Sequence, residues 1–278
     1  MTAATALALA LACVSTVLTN LAYQREHDAA AALPVLSMRR PLHSLHLLLA
    51  DRTWMLGFAM ETSGFLLYAV ALALAPLALV QSIEAGGIGV LAYVQARLGG
   101  RHLSRREVTG ATLSVLGLAA LAGSLAGASG SGSGGSTAGV LVWIGATAAV
   151  AVAIFTAGRR VLGAAVADGV AGGLLFSIGD ISTKLATQGG ARIGFVVTLV
   201  AGYALGTSLL QLGYQAGGAL TVAGVATLLT NALPIAAGTI VLGEAVPGGA
   251  LGVLRVVAFA AVCAGAVLLA RDDPDAAR

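Results

Sequence analysis

Glu61 lies in an apolar run, residues 53–74, with no Lys or Arg three or four positions away to neutralise it. An ionised side chain at the centre of a membrane helix costs about 2.5–3.5 kcal/mol, so such a residue asks for a reason. It reads either as a proton or cation ligand facing a cavity or as a protonated acid bonded to a neighbouring helix. Gln81 and Glu84 are three residues apart and share a helix face; they read as site-lining or as a polar contact near an outer mouth. Asp180 and Lys184, spaced i,i+4, can form an ion pair along one helix, or leave Lys184 to meet an anion or carboxylate. Gln211 and Gln215, one turn apart, and Asn231 offer amides that could orient a solute or bridge helices. Gly86, Gly87 and Gly89 in one run and Pro234 in another loosen the backbone where a gating bend would need it. Asp168 is expected to be solvated near a helix end, and Arg255 to snorkel from an outer end toward Glu244.

The elements that must hold these residues follow from composition. The 278 residues are 58% hydrophobic and 10% charged, with a mean hydropathy of +0.94, whereas soluble chains are roughly 45–50% apolar and about 25% charged. Runs long enough to cross a bilayer, about 20 residues each, fall at 2–23, 53–74, 77–97, 105–127, 138–158, 162–185, 191–213, 219–243 and 250–270. Nine spans leave no room for a soluble catalytic domain. The first run has no Lys or Arg ahead of it, so it reads as a span and not as a signal peptide. The segment 24–52 reads as a cytoplasmic loop in which Arg39, Arg40, His43 and His46 interrupt a short interfacial helix. With nine crossings, 12 of the 15 Lys and Arg residues fall on one side and three on the other. The positive-inside rule makes the richer side cytoplasmic, which puts the N-terminus outside and the C-terminus inside the cell membrane.

The chain divides at an uncharged Gly/Ser linker, 128–137, into a first half, 1–127, and a second, 138–278. Leu21-Ala22-Tyr23-Gln24 ends the first span as Leu185-Ala186-Thr187-Gln188 ends the sixth. Residues 66–79 lie over 209–222 at an offset of 143, which sets Asn231 over Ile88 in the glycine cluster. Five crossings separate the first and sixth spans, so the repeats are inverted, a construction that lets two halves rock about a shared site. The layout is five-plus-five lacking its first helix. The spacings Gly123/Gly127, Gly169/Gly173, Gly202/Gly206 and Gly213/Gly217 read as close helix packing; a homodimer is left open.

Trp54-Met-Leu-Gly57, Gly64, Tyr68 through Ala75-Pro76-Leu-Ala-Leu79-Val80, the basic turn Gly100 to Glu107, and Gly110 through Gly117 together resemble the drug/metabolite transporter superfamily. Within it the likeness is to EamA-like and NIPA-type magnesium transporter-like proteins, echoed by Gln211, Tyr214, Pro234 and Leu242-Gly243-Glu244. Phe65 and Ser82 stand where the NIPA-type pattern has an acid and a proline. The resemblance implies a secondary transporter of a small solute, proton- or ion-coupled, with metabolite or drug-type export ahead of Mg²⁺ or another cation. A non-transporting accessory subunit is the alternative of another class. No Walker loop, HExxH or CxxC is present. The expectation is of no enzyme and no cofactor, with the lipid bilayer and a small solute or ion as partners and no nucleic acid. Cys13 and Cys263, in apolar runs, read as small buried hydrophobes.

Overall fold

In the computed structural model of the protein the described residues are 3–74, 87–98, 103–124, 135–186, 189–241 and 248–270. All their regular elements are helical. Helix α1 spans Ala3–Ala32, α2 Pro41–Ala50, α3 Arg52–Leu74, α4 Gly87–Leu98 and α5 Arg105–Ser124. Helix α6, Thr137–Ala153, continues through a π turn, Ile154–Gly158, into Arg159–Leu162. Helix α7 is Ala164–Ala186, a 3₁₀ turn covers Gly190–Phe195, and α8 (Val196–Tyr214), α9 (Ala219–Ile240) and α10 (Ala250–Ala270) complete the order. Six of these stretches are long and apolar enough to cross a membrane: Ala6–Ala32, Thr137–Leu162, Ala164–Thr183, Gly190–Tyr214, Ala219–Gly238 and Ala250–Leu269. The protein is an all-α membrane protein.

Helix ends are set by local chemistry. Asp51 Oδ1 accepts the Trp54 amide at 2.8 Å and starts α3. Ser104 and Glu107 form a reciprocal capping box at α5, with the Ser104 amide donating to Glu107 at 2.9 Å and the Glu107 amide to Ser104 Oγ at 3.2 Å. Ser136 Oγ caps α6 through the Gly139 amide. Gly163, at φ +80°, supplies the one-residue reversal into α7 that a side chain would resist. The expected interfacial helix is α2, which opens on Pro41.

One boundary differs from the sequence reading. The expected loop begins at residue 24, yet α1 continues to Ala32. The charged stretch from Gln24 to Asp28 stays helical because its polar groups find partners on the helix itself, as in the Gln24 Nε2 bond to Asp28 Oδ1 at 2.8 Å, and because four alanines follow.

Helix α7 is the centre of the bundle: 78% of its spanning window is buried, against 17% for α6. It packs along α8 and α9; α1 packs along α3 and α4; α4 touches α5 as α9 touches α10. Across these groups α5 lies along α10, and α4 meets α9. Small residues make the close approaches, as expected of packing in lipid, where burial gives no hydrophobic drive. A Cβ on Gly169 or Gly173 of α7 would fall 2.8 Å from a backbone oxygen of α9, and one on Gly202 of α8 would fall 2.7 Å from Leu175 O. Leu141, Val142, Val197, Val253 and Val256 point outward, the apolar surface that lipid requires. Cys13 and Cys263 are free thiols on that outer surface, not in the core, because the helices bury other faces.

Candidate functional site

The end of α1 carries Glu26, fully buried against α3. Gly57 of α3 makes the room: a Cβ there would lie 2.8 Å from Glu26 Cγ. One turn further along α3, Glu61 carries a second carboxyl close enough to that of Glu26 for the two to interact. Two neighbouring carboxyls away from water do not readily ionise together. From α8, Gln211 Nε2 donates to Glu26 Oε2 at 2.6 Å, a buried bond that joins residues 185 apart in sequence. Glu26 Oε1, Gln211 Oε1 and the Tyr214 hydroxyl are buried without a hydrogen-bond partner among the described residues, and the Tyr214 hydroxyl lies within electrostatic reach of Glu26, Glu61 and Tyr23. The Tyr214 ring is held edge-on by His27, centroids 5.7 Å apart. The result is a centre of oxygen atoms with one amide donor, suited to hold a proton or a small hard cation.

A cleft of about 50 Å³ reaches this centre. Leu36, Met38, Leu45, Leu48 and Leu212 give it apolar walls, Ser37, Ser44 and Ser208 give hydroxyls, and Gln211 also lines it. Gln215, the other amide expected to meet solute, is engaged elsewhere. Its Nε2 donates to the carbonyls of Ala30 at 2.9 Å, Leu33 at 3.2 Å and Pro34 at 3.1 Å, and its Oε1 accepts the Leu36 amide at 2.8 Å. These bonds satisfy carbonyls left open at the end of α1 and clasp the 33–36 segment over the cleft.

The remaining expected residues lie apart. Asp180 accepts from the Tyr203 hydroxyl of α8 at 2.5 Å; the side chain of Lys184, its expected ion-pair partner, is outside the described residues. Asn231 Nδ2 donates to Thr227 O of its own helix at 2.8 Å, and Pro234 sits inside α9. Gly87 is a packing position, its Cβ vector 2.6 Å from Asn20 Nδ2, while Gly89 faces Val115 at an ordinary 3.7 Å. Gln81, Glu84 and Gly86 lie outside the described residues, as does Glu244. Asp168 is fully buried, not solvated, and pairs with Arg159 at 3.1 Å. Arg255 is also buried and donates to Ser124 Oγ at 3.3 Å instead of reaching solvent. Among the described residues no group of three His, Cys, Asp or Glu could hold a metal ion.

Glu26, Tyr203 and Tyr214 are the functional candidates that sequence reasoning passed over. Glu26 had a signal: the run from Gln24 to Ala32 contains no Gly or Pro to stop a helix. Tyr203 and Tyr214 look like ordinary aromatic residues of apolar spans.

No family model, no curated protein and no solved structure matches the chain.

Proposed function

We propose that the protein is a secondary transporter that moves a small solute across the cell membrane by alternating access, coupled to protons. The observation that carries this reading is the Glu26–Glu61 carboxyl contact, closed by Gln211 from the other half of the chain. A proton held there would join the α1 and α3 carboxyls that Gln211 ties to the second half, and its release would leave two negative charges side by side, a strong drive to separate them. The nine-crossing topology, with the N-terminus outside and the C-terminus cytoplasmic, belongs to this proposal. So does the inverted repeat, supported by a packing order in which α1 with α3 and α4 matches α7 with α8 and α9, and α5 matches α10. The resemblance to the drug/metabolite transporter superfamily agrees with it and favours export of a metabolite or amphiphile.

A cation is the second reading, favoured by the unpartnered oxygens of Glu26, Gln211 and Tyr214. Mg²⁺ would have to draw oxygens to about 2.0–2.1 Å in octahedral order and keep several waters, which the buried centre lacks room for unless the helices part. The test is flux into and out of proteoliposomes under an imposed pH gradient, with wild type compared with Glu61→Gln and Glu26→Gln over a panel of metabolites and Mg²⁺. Gradient-driven flux lost in both variants supports proton coupling at this pair. Gradient-independent Mg²⁺ flux supports the cation reading. No flux from folded, inserted protein turns the reading toward an accessory subunit.

A further inference from the structure

Helices α3 and α8 meet again beyond the carboxyl centre, at Phe65 and Tyr203. Glu61, Phe65 and Tyr68 fall on one face of α3, spaced four and then three residues. Phe65 meets the Tyr203 ring of α8 at 6.2 Å between centroids, nearly edge to face, and Tyr68 lies within electrostatic reach of the Tyr203 hydroxyl. That hydroxyl donates to Asp180 and also contacts Thr183. Tyr203 and Gln211 are eight residues apart on α8, about 12 Å along the axis at 1.5 Å per residue. Along α8 the Glu26–Glu61–Gln211 centre therefore lies at one end and the Asp180–Tyr203 pair at the other, with Phe65 of α3 against the Tyr203 ring.

The placement repeats in each half. Glu26 sits six residues before the end of α1 and Asp180 six before the end of α7. Each bonds a side chain on a helix packed along its own, Glu61 on α3 and Tyr203 on α8. Each meets a glycine-made recess: Gly57 admits Glu26, and Gly179 admits the Tyr203 ring, whose Cδ2 lies 2.9 Å from where a Cβ would stand. Asp180 and Tyr203 are both only partly buried.

We propose that Asp180, held by Tyr203, is a second proton-binding carboxyl, serving the membrane side opposite the Glu26–Glu61 centre. Protonation adds a proton from water to the carboxylate oxygen that Tyr203 does not hold, and Tyr203 keeps its own proton while donating to Oδ1. Release returns the proton to water on that side. Among the described residues few ionisable groups face the pair. Helix α8 gives Tyr203 and α3 gives Tyr68. The α9 segment packed on α7 has no ionisable residue, and neither has α6 over Thr137–Ala153. Arg192 of the 3₁₀ turn donates to Gly135 O at 2.9 Å. Lys184, one turn along α7, is the nearest cation in sequence. The placement on opposite sides rests on the inverted topology proposed above.

The test is infrared difference spectroscopy on the full-length protein in oriented proteoliposomes, with the pH stepped on one side at a time and no solute added. Aspartate labelled with ¹³C at the side-chain carboxyl separates Asp bands from Glu bands without mutation. The expected result is an Asp C=O band that responds to the pH step on one side and a Glu band that responds to the other. Asp180→Asn removes the first and leaves the second, and Tyr203→Phe keeps the first band but moves the pH at which it appears. An Asp band untouched by Asp180→Asn in folded protein, or the absence of any labelled band in wild type, overturns the proposal. Both bands answering the same side overturns the opposite-side placement. Because no solute is present, the outcome is independent of the transport assay: flux with a silent Asp180 refutes this inference alone, and a titrating Asp180 without flux refutes transport alone.

Discussion

Gly57→Ala is the sharpest probe of the carboxyl centre, because it adds one methyl group and changes no charge. The new Cβ would lie 2.8 Å from Glu26 Cγ and 3.3 Å from Ala22 O. Ordinary contact begins near 3.4 Å, so the Glu26 side chain must give by about 0.6 Å. The Gln211–Glu26 bond, now 2.6 Å, then stretches to about 3.2 Å, the edge of the hydrogen-bonding range. A bond to a charged group is worth about 1.5–3 kcal/mol. Losing about half of it weakens the aligned state by roughly tenfold. Gly64→Ala is the matched control: its Cβ meets Thr19 Oγ1 and lies 3.2 Å from Ser15 O, on the same α1–α3 interface but away from the carboxyls. Both variants should lose about 1–3 kcal/mol of stability by overpacking, read as thermal unfolding in detergent. Only Gly57→Ala should also reduce gradient-driven flux in proteoliposomes about tenfold. Equal flux in the two variants would refute the claim that the Glu26 position, and not helix packing in general, sets the coupling.

Three further outcomes follow from the same contacts. Gln211→Leu leaves Glu26 Oε2 buried without its donor and should cost about 1–3 kcal/mol of thermal stability; unchanged stability would mean that another group satisfies the oxygen. Gln215→Ala removes the acceptor of the Leu36 amide and the donor to three carbonyls, so hydrogen exchange should speed up several-fold over residues 33–40 and not in α3, as read by mass spectrometry. Ser104→Ala breaks the capping box of α5 and should lower stability by about 1 kcal/mol, without changing flux, since the box lies outside the carboxyl centre.

The helices were legible because lipid imposes length and apolarity on each span, and the six stretches that meet both tests coincide with runs read from hydropathy. Glu61 and Gln211 were legible for a related reason: polar groups inside apolar runs stand out. Glu26 was not, since a charge near a span's end reads as the place where water begins, and only the recess at Gly57 shows that this end is covered by another helix. The Tyr203 contact of Asp180 was not legible either, since the i,i+4 rule compares a residue only with its own helix and the hydroxyl of Tyr203 approaches from the next. Gln215 shows the converse limit. An amide suited to a solute is equally suited to the open carbonyls at a helix end, and here the chain's own backbone takes it.

Glycine and acid belong to one arrangement in this bundle. At α1–α3 the missing side chain of Gly57 lets Glu26 fold against the neighbouring helix, and at α7–α8 Gly179 does the same for the Tyr203 ring that holds Asp180. Such centres are closely packed, so in the proposed transporter an ion or solute would enter only when the paired helices move apart. In lipid that movement meets little hydrophobic resistance, because the tails that would replace a glycine contact are as apolar as the contact itself. What resists it is the polar contact inside: the Glu26 and Glu61 carboxyls with the Gln211 bond at one end, and the Tyr203–Asp180 bond at the other. Deprotonation turns the first of these contacts from attraction into repulsion without changing the packing around it. In the proposed transporter the coupling of proton to movement is then a property of the interface, and glycine at the contact is what lets one proton decide whether it stays closed.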